Sequence, residues 1–439
     1  MTLKQVWHSR GLMVTAVWLA RIIVGALFVV SGLSKADDLW GFIYKIEEYL
    51  RVWNVVCPRS IVLTASMLIS GAEFVLGSLL MLGLYRRSAP ALLLLTMCGM
   101  LPLTLYIYMY APVADCGCFG DFLILSNAAT FWKNVALTVL LAWLLVFNRR
   151  VSGLFSIPVQ WIVGGILSFY VLFVGMVGFG VQPMIDFRSF PVGASLVAHS
   201  DCDEASEEFE FIYESPSGVR GVFTTDSLPP DDWTFIDRRQ TSGRSADARS
   251  ATEFVILDGD DDITSEVIQG RGEEMLLLIP DLSRADVTYT FALNELNDYI
   301  GSHGGSMAAL IGTSSEGLDS WADLSMASYP LFSAEPTLIK ELARGNMSLV
   351  YLVNGVIVWK RTLSSLDAQD LMEISVQNED YLRTLDPEVY NLFIGFTVVT
   401  GIVLFVLWLL DRSGRFIGGW WRRRRRDAAH KVDAAQNPS

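Results

Sequence analysis

Residues 19–42 read LARIIVGALFVVSGLSKADDLWGF, a long apolar run that contains one arginine and ends in Ser-Gly-x-x-Lys. A run of about 20 apolar residues is long enough to cross the hydrocarbon core of a bilayer as a helix. The apolar part is too long for the core of a secretory signal, and SGLSKADD is not an A-x-A cleavage site. We therefore interpret this stretch as an uncleaved transmembrane span.

Five further apolar stretches of similar length follow along the chain. The whole sequence is 52% hydrophobic, which is too apolar for an ordinary soluble enzyme of 439 residues. It contains no phosphate-binding G-x-x-x-x-G-K-[ST], no H-E-x-x-H and no G-x-S-x-G motif. The sequence therefore predicts a polytopic α-helical membrane protein, with spans at about 12–34, 60–83, 91–111, 129–147, 159–181 and 390–410.

Charge is unevenly distributed. Residues 186–388 contain 37 acidic and 13 basic residues, whereas the remainder is basic. This asymmetry indicates an acidic soluble region held by basic membrane segments. Every second connection between spans is rich in Lys and Arg, and such connections stay in the cytoplasm. The basic positions are Lys4, Arg10, Arg86, Arg87, Arg149, Arg150, Arg412, Arg415 and Arg422 to Arg426.

This charge pattern predicts six spans with both termini in the cytoplasm. Segments 35–59, 112–128 and 186–389 then lie outside it, where disulfides persist. Four cysteines fall in these segments: Cys57, Cys116, Cys118 and Cys202. Cys98 falls inside the third span, where we expect a small buried packing residue. The arginine-rich tail is interpreted as a membrane anchor, and no nucleic-acid partner is predicted.

Residues 115–121 read DCGCFGD and carry the main candidate site, Cys116 and Cys118. Two cysteines this close fall within disulfide range, and the glycines give the loop the freedom of a tight turn. One hypothesis is a redox-active pair with Cys57 or Cys202 as exchange partner. A second is a structural disulfide from Cys57 to Cys116 or Cys118. A third is a set of inert thiols, and no metal site is predicted.

Arg21 and Glu73 are the clearest charges inside predicted spans. Charges in hydrocarbon are costly, so both should face the bundle interior, and we expect them to pair. The pair either lines a small polar cavity for a quinone headgroup or another ligand, or fixes the helix register. Quinone is the one cofactor that these hypotheses invoke. Lys35 and Lys133 are expected to extend towards the outer interface.

The acidic region divides into two parts. Residues 186–273 have short alternating apolar pieces that predict a β-rich segment. Residues 274–385 follow the order β-α-β-α-β-β-α of a thioredoxin fold, with Asn354-Gly355 as the turn of a terminal hairpin. The usual C-x-x-C place reads Asp281-Leu282-Ser283-Arg284, and Met347 stands where that fold has its cis-proline. Without a thiolate, the domain is predicted to be redox-inert at this place.

The first five spans resemble the DoxX/MauE-type bacterial membrane proteins, MauE being the methylamine-utilisation protein. The resemblance covers about residues 12–147 and rests on four motifs, LARIIVGALFVVSGLSKADDLWGF, GAEFVLGSLLMLGLY, DCGCFGD and TFWKN. DFRSFPVG at 186–193 and the thioredoxin-like region resemble a fused form of the family. The resemblance implies an inner membrane and a periplasm. It also implies a link to maturation of a disulfide-rich dehydrogenase beside a thioredoxin-like partner, or to quinone-coupled sulfur chemistry.

These observations predict five segments and a leading function. The segments are a four-helix membrane domain (1–150), a fifth span (151–185), the β-rich segment (186–273), the thioredoxin-like domain (274–385), and a last span with a basic tail (386–439). The leading function is a maturation or assembly factor for envelope proteins, with the lipid bilayer and a periplasmic client as partners. The alternatives are a quinone-coupled membrane thiol oxidoreductase and a non-catalytic structural subunit of an envelope complex.

Overall fold

Six helices in the described part of the chain are long and apolar enough to cross a membrane. The computed structural model describes residues 3–113, 116–123, 125–148, 151–197, 209–214, 220–223, 234–240, 256–258, 261–366, 382 and 388–436. The apolar helices confirm the predicted spans to within a few residues, so the protein is a polytopic helical membrane protein. They cover Gly11–Asp37, Arg59–Leu82, Ser88–Tyr110, Asn127–Phe147, Ile157–Gly180 and Tyr390–Phe416.

The amino-terminal bundle contains five long helices and one shorter helix at its end. These are α1 (Leu3–Asp37), α2 (Leu39–Val52), α3 (Arg59–Leu82), α4 (Ser88–Tyr110), α5 (Asn127–Phe147) and α6 (Gln160–Gly180). The segment 35–59 was predicted only as an outer connection, yet most of it is the amphipathic helix α2. Asp38 caps this helix by accepting a hydrogen bond from the Gly41 backbone N–H at 2.9 Å.

Helices α1 and α3 pack closely because glycines lie at their contact. A Cβ atom added at Gly32 would lie 2.4 Å from the backbone nitrogen of Phe74, and one added at Gly25 would lie 2.8 Å from the carbonyl oxygen of Gly77. Small residues permit this approach where no hydrophobic effect drives helices together in lipid. The contacts fix an antiparallel register in which Gly25 faces Gly77 and Gly32 faces Phe74.

The described residues of the acidic region form three sheets. Strands β1 (Phe209–Glu214), β2 (Arg220–Phe223) and β3 (Thr234–Gln240) form an antiparallel sheet in the order β2-β1-β3, and β4 (Leu257–Asp258) pairs with β5 (Asp261–Asp262). The five-stranded sheet comprises β6 (Glu273–Ile279), β7 (Ser306–Ile311), β8 (Leu331–Ser333), β9 (Ser348–Val353) and β10 (Val356–Thr362). In the part of this region that the structure describes, four helices accompany the sheets: α7 (Thr264–Val267), α8 (Thr290–Ser302), α9 (Ser315–Ser325) and α10 (Pro336–Leu342). Residues 261–366 are called the α/β domain below.

The five-stranded sheet has the order β10-β9-β6-β7-β8. Strands β6, β7 and β8 run parallel, while β9 is antiparallel to β6 and β10 is antiparallel to β9. Alternate β6 residues pack into two hydrophobic clusters, which explains why EMLLLI is continuously apolar. The observed order from residue 274 to the hairpin is β-α-β-α-β-α-β-β, which has one more strand and one more helix than the predicted order. Asn354 and Gly355 both have positive φ, as the predicted tight turn requires. The helix expected after the hairpin falls mostly outside the described residues.

The α/β domain docks onto one end of the bundle. The Tyr44 hydroxyl donates to the Gly345 carbonyl at 3.2 Å, and the Thr362 backbone N–H donates to the Val181 carbonyl at 3.2 Å. The Lys360 ammonium pairs with Asp186 at 3.0 Å, just beyond the end of α6. The end of α1, helix α2 and the loop before α5 lie at the same end.

The connection that carries Arg86 and Arg87 lies at the opposite end of the bundle, beside the end of α5. Asn148 donates a hydrogen bond from its side chain to the Arg86 carbonyl at 3.0 Å. The last helix, α11 (Glu388–Gln436), is longer than the predicted span 390–410. Its Arg415 reaches the Leu154 carbonyl at 3.1 Å, so α11 passes alongside the bundle to this end.

Candidate functional site

The loop between α4 and α5 folds back onto the end of the bundle. Gly117 and Gly120 both have positive φ, and the Gly120 N–H donates to the Gly117 carbonyl to close a turn. A Cβ atom at Gly117 would lie 2.8 Å from Cγ of Lys45, so α2 leaves space there only for glycine. The turn therefore presents Cys116 and Cys118 to each other. We call residues 116–122 the thiol loop.

The two thiols are in direct contact. The Sγ atoms of Cys116 and Cys118 lie 2.7 Å apart, with Cys116 buried and Cys118 half-buried. Both cysteines are free thiols in this structure. The carbonyl of Cys116 accepts a hydrogen bond from the Tyr49 hydroxyl at 3.1 Å. A pair held in this way can interconvert between dithiol and disulfide with little movement of the backbone.

A buried ion pair lies directly beneath the thiol loop. The Lys35 ammonium contacts both Glu73 oxygens, at 2.9 and 2.7 Å, and the Lys35 side chain is only 3% exposed. The Ser31 hydroxyl lies 2.8 Å from Glu73 Oε2 and 2.6 Å from the Cys118 carbonyl oxygen. Its single proton serves one of these acceptors at a time. Ser31 therefore connects the ion pair to the backbone of the thiol loop.

The predicted pairing of Arg21 with Glu73 is wrong. Arg21 binds Asn148 through its side chain and backbone carbonyl and also reaches the Val151 carbonyl at 3.3 Å. The prediction assumed that residues midway along antiparallel spans meet. The actual register, with Gly25 facing Gly77, places Arg21 beside Gly83 at the opposite end of the bundle. Glu73 meets Lys35 instead, so Lys35 does not extend to the interface as expected.

The hydrogen bond between the two thiols, and not the nearby lysines, separates the pKa values of the two cysteines, because Lys35 and Lys133 lower both. The Lys133 ammonium lies 4.3 Å from the centre of the Phe119 ring, and Lys133 lines the same small cavity as Cys118. The hydrogen bond from the Cys116 thiol, followed by the positive charges of Lys133 and Lys35, lowers the pKa of Cys118 to about 7 despite its burial. The same hydrogen bond and burial raise the pKa of Cys116. Because the thiolate is the reactive form, Cys118 is the more nucleophilic cysteine at neutral pH.

The cavity beneath the loop is small. It has a volume of about 30 Å³ and is lined by Ser31, Lys35, Glu73, Cys118 and Lys133 together with apolar side chains of α1, α4 and α5. A ligand pocket usually measures roughly 300–1,000 Å³, whereas a water molecule needs roughly 10–15 Å³ on this measure. The space fits water and not a quinone ring in this conformation. Arg21 does not line it.

A larger cleft opens on the other side of the thiol loop. It measures about 340 Å³ and lies between the loop, α2 and α10. Gly117, Gly120 and Asp121 form one wall, and Tyr44 and Lys340 are among the residues of the others. The Lys340 ammonium lies 4.8 Å from the centre of the Tyr44 ring. The cleft borders the thiol loop at Gly117, Gly120 and Asp121, and neither cysteine is among its lining residues.

The remaining cysteines lie elsewhere or outside the described residues. Cys57 is half-buried and packs with a cluster formed by α2 and α3. Cys98 is exposed on α4 rather than buried, because this face of the helix points away from the bundle. Cys202 lies outside the described residues. Among the residues that the structure describes, no group of three potential ligands suits a metal ion.

Ser31, Lys35 and the contact between Arg344 and Asp121 belong to the site but were not recognised as parts of it from the sequence. Ser31 and Lys35 belong to the S-G-x-x-K motif, and a spacing of four residues places them on one helix face. That spacing was the available signal. The contact between Arg344 of the α/β domain and Asp121 of the thiol loop had no such signal, since 222 residues separate them in the chain.

Comparison with known proteins identifies one related family. No curated protein and no solved structure matches the chain. The matched segment, residues 13–147, includes the first four spans, the Lys35–Glu73 pair and the thiol loop. That segment matches the family model described as methylamine utilisation protein MauE, so the bundle of this membrane protein is similar to MauE.

Proposed function

We propose that the protein is a maturation factor for envelope proteins whose thiol loop exchanges disulfides with a client. The observation that carries the proposal is the contact of 2.7 Å between the Cys116 and Cys118 sulfurs at the accessible end of the bundle. The likeness to MauE over residues 13–147 supports it. The basic connections at the opposite end support a periplasmic position for the loop in an inner membrane. A DoxX-type relationship is part of the same proposal.

The exchange proceeds through Cys118. Its thiolate attacks one sulfur of a client disulfide, a mixed disulfide forms, and the second client sulfur leaves as a thiolate. If a different client thiolate then attacks the mixed disulfide, the client is rearranged and Cys118 is regenerated. If Cys116 attacks instead, the client leaves as a dithiol and the Cys116–Cys118 disulfide takes its place. Both routes conserve electrons between protein and client.

The α/β domain has a supporting role in this proposal. Three parallel strands beside an antiparallel hairpin favour the thioredoxin-like assignment, as does the contact between Met347 Sδ and the Asp286 N–H at 3.0 Å. That contact joins the segment after β6 to the segment before β9, where a thioredoxin fold has its cysteines and its cis-proline. Here the first of these segments carries Asp281 to Arg284, so chemistry stays with the thiol loop.

The quinone-coupled alternative has weaker support. It requires a quinone close to the thiols, yet the cavity beneath Cys118 has a volume of about 30 Å³. The structural-subunit alternative requires thiols without reactivity. The nucleophilic environment of Cys118 favours exchange over this alternative.

Trapping of a mixed disulfide tests the proposal. Cys116→Ser removes the resolving thiol, so we expect adducts of Cys118 with client proteins on non-reducing gels after rapid alkylation of cells. Cys118→Ser removes the nucleophile and should give none, and Cys57→Ser is the matched control that should behave as wild type. Equal adduct levels in the Cys116 and Cys118 variants, or none in either, would contradict the proposal. Loss of stability without adducts would favour a structural subunit.

A further inference from the structure

We propose that Arg344 of the α/β domain is a positioning residue for the thiol loop, so that docking of this domain sets the reactivity of Cys118. This inference deepens the proposed function and rests on it for its biological meaning. The first ground is the environment of Arg344. Its side chain is 7% exposed, and its guanidinium contacts both Asp38 at the end of α1 and Asp121 in the thiol loop.

Arg344 is held rigidly at its backbone. Gln182, just after α6, donates to the Arg344 carbonyl at 2.7 Å and accepts from the Arg344 N–H at 2.9 Å. Asp38 receives hydrogen bonds from the guanidinium at 2.6 and 3.0 Å. Burial raises the pKa of the Asp38 carboxyl, but the guanidinium more than offsets this, so the pKa lies below its usual range. These bonds fix the position of the guanidinium that contacts Asp121.

Three side chains form hydrogen bonds to the thiol loop in the contacts described above, and among these Arg344 belongs to the α/β domain. Ser31 contacts the Cys118 carbonyl and Tyr49 contacts the Cys116 carbonyl, both from the bundle. Arg344 holds Asp121 in the short 3-10 turn Gly120–Phe122, three residues after Cys118. The Arg344–Asp121 contact therefore helps to fix the carboxyl-terminal half of the loop, beside the contacts of Phe119 with Lys133 and of Phe122 with Phe187, and so helps to set the position of Cys118 relative to Cys116.

The contact with Asp121 is separable from docking itself. Asp121 is 43% exposed on its side chain, whereas Asp38 is 13% exposed. The Arg344–Asp38 pair, the Lys360–Asp186 pair and the two hydrogen bonds to Gln182 remain when Asp121 is changed. Asp121→Asn therefore tests positioning in a domain that is still docked.

The experiment measures the rate of Cys118 alkylation against pH. The full chain is purified in nanodiscs with Cys57, Cys98 and Cys202 replaced by Ser, and adducts are quantified by peptide mass spectrometry. Asp121→Asn and Arg344→Gln are compared with Arg344→Lys. Arg284→Gln is the matched control, because Arg284 joins the domain to Glu47 of α2 without touching the thiol loop.

We expect the midpoint of the pH profile to move upward in Asp121→Asn and Arg344→Gln, towards the value of roughly 8.5 of an ordinary cysteine. Alkylation at pH 7 should fall several-fold, with a smaller change in Arg344→Lys and none in Arg284→Gln. The direction is informative, since removing the negative charge of Asp121 would by itself favour a thiolate. An upward shift in Asp121→Asn therefore reports position, not charge.

A wild-type midpoint in both Asp121→Asn and Arg344→Gln, with unchanged thermal unfolding, would overturn the inference. If Arg344→Gln fails to fold, Asp121→Asn alone decides. The outcome is distinguishable from failure of the proposed function. A shifted midpoint without any client adduct would contradict disulfide exchange and support the role of Arg344. Client adducts with an unshifted midpoint would support disulfide exchange and contradict the role of Arg344.

Discussion

The two ends of the bundle each bury a positive charge of α1, but they neutralise it differently. At the end that carries the thiol loop, Lys35 has a full counter-charge in Glu73, and Ser31 connects the pair to Cys118. At the other end, the described partners of Arg21 are the Asn148 amide and backbone carbonyls. The guanidinium there satisfies carbonyls at the end of α5 and beyond it, which is an architectural role. The difference suggests that only the first end supports chemistry.

Glu73→Gln should have the largest effect, because it breaks this comparison at the reactive end. It leaves the Lys35 ammonium buried without a carboxylate, and removing one partner of a buried pair costs about 3–5 kcal/mol. We expect a fall of that size in the free energy of unfolding, measured by denaturant titration in detergent. Alkylation of Cys118 should change as well.

The controls for Glu73→Gln are a compensating double variant and an exposed pair. Glu73→Gln combined with Lys35→Met removes both charges and should recover most of the stability. Glu48→Gln breaks the Lys45–Glu48 pair, in which Glu48 is 40% exposed, and should cost about 0–1 kcal/mol. A Glu73→Gln protein as stable as the Glu48→Gln protein would show that the pair beneath the loop is not buried as described.

Arg21→Lys is the matching test at the opposite end. A lysine keeps the charge but lacks the planar fork that bridges Asn148 and Val151, so buried acceptors lose donors. We expect a loss of about 1–3 kcal/mol in the free energy of unfolding, with an unchanged pH profile of Cys118 alkylation. A change in Cys118 reactivity would mean that the two ends of the bundle are coupled, contrary to the comparison.

Gly32→Ala tests the register that keeps the two ends apart. The added methyl meets the backbone of Phe74, which cannot move as a flexible side chain would, and overpacking of this kind costs about 1–3 kcal/mol. Gly99→Ala is the control, since no described atom lies within 4 Å of the new Cβ, and we expect no loss there. Thermal unfolding in the same detergent compares the two. Equal stabilities would argue against close packing of α1 and α3.

The spans were predictable from sequence, whereas the pairs between them were not. A span follows from the length of an apolar run, which is local information. A pair follows from register, and register here depends on Gly25, Gly32 and Gly77, whose packing partners are on another helix. Arg21 and Glu73 were expected to meet because both lie near the middle of their spans. The spacing of Ser31 and Lys35 was a better guide, since it identifies one face of α1.

In the acidic region, too, single elements were predictable from the sequence and contacts between distant residues were not. Continuous or alternating apolar runs predicted β6, β7, β9 and β10, and Asn354-Gly355 predicted the hairpin that joins β9 to β10. These elements were predictable because each strand and the turn depend on neighbouring residues. Helix α2 was missed although LWGFIYKIEEYLRV has apolar residues at helical spacing after the capping residue Asp38. The contact of Arg344 with the thiol loop depends on how two folded units dock, which no local pattern encodes.

Lys133→Met is expected to have the smallest effect, and it sharpens the comparison at the reactive end. The positive charge of Lys133 favours the Cys118 thiolate, so its removal should raise the pKa of Cys118 and slow alkylation at pH 7. Lys133 is partly exposed and its field is screened, so we expect the pKa of Cys118 to rise by about 0.5 to 1, which lowers the rate at pH 7 by about 2- to 5-fold. Above pH 10 the rates should converge, because Cys118 is then ionised in both proteins. Lys133→Arg keeps the charge over Phe119 and should retain the wild-type profile. If the pH profiles of wild type and Lys133→Met coincide, Lys133 does not contribute to the reactivity of Cys118. That reactivity would then come from the Cys116 thiol and Lys35.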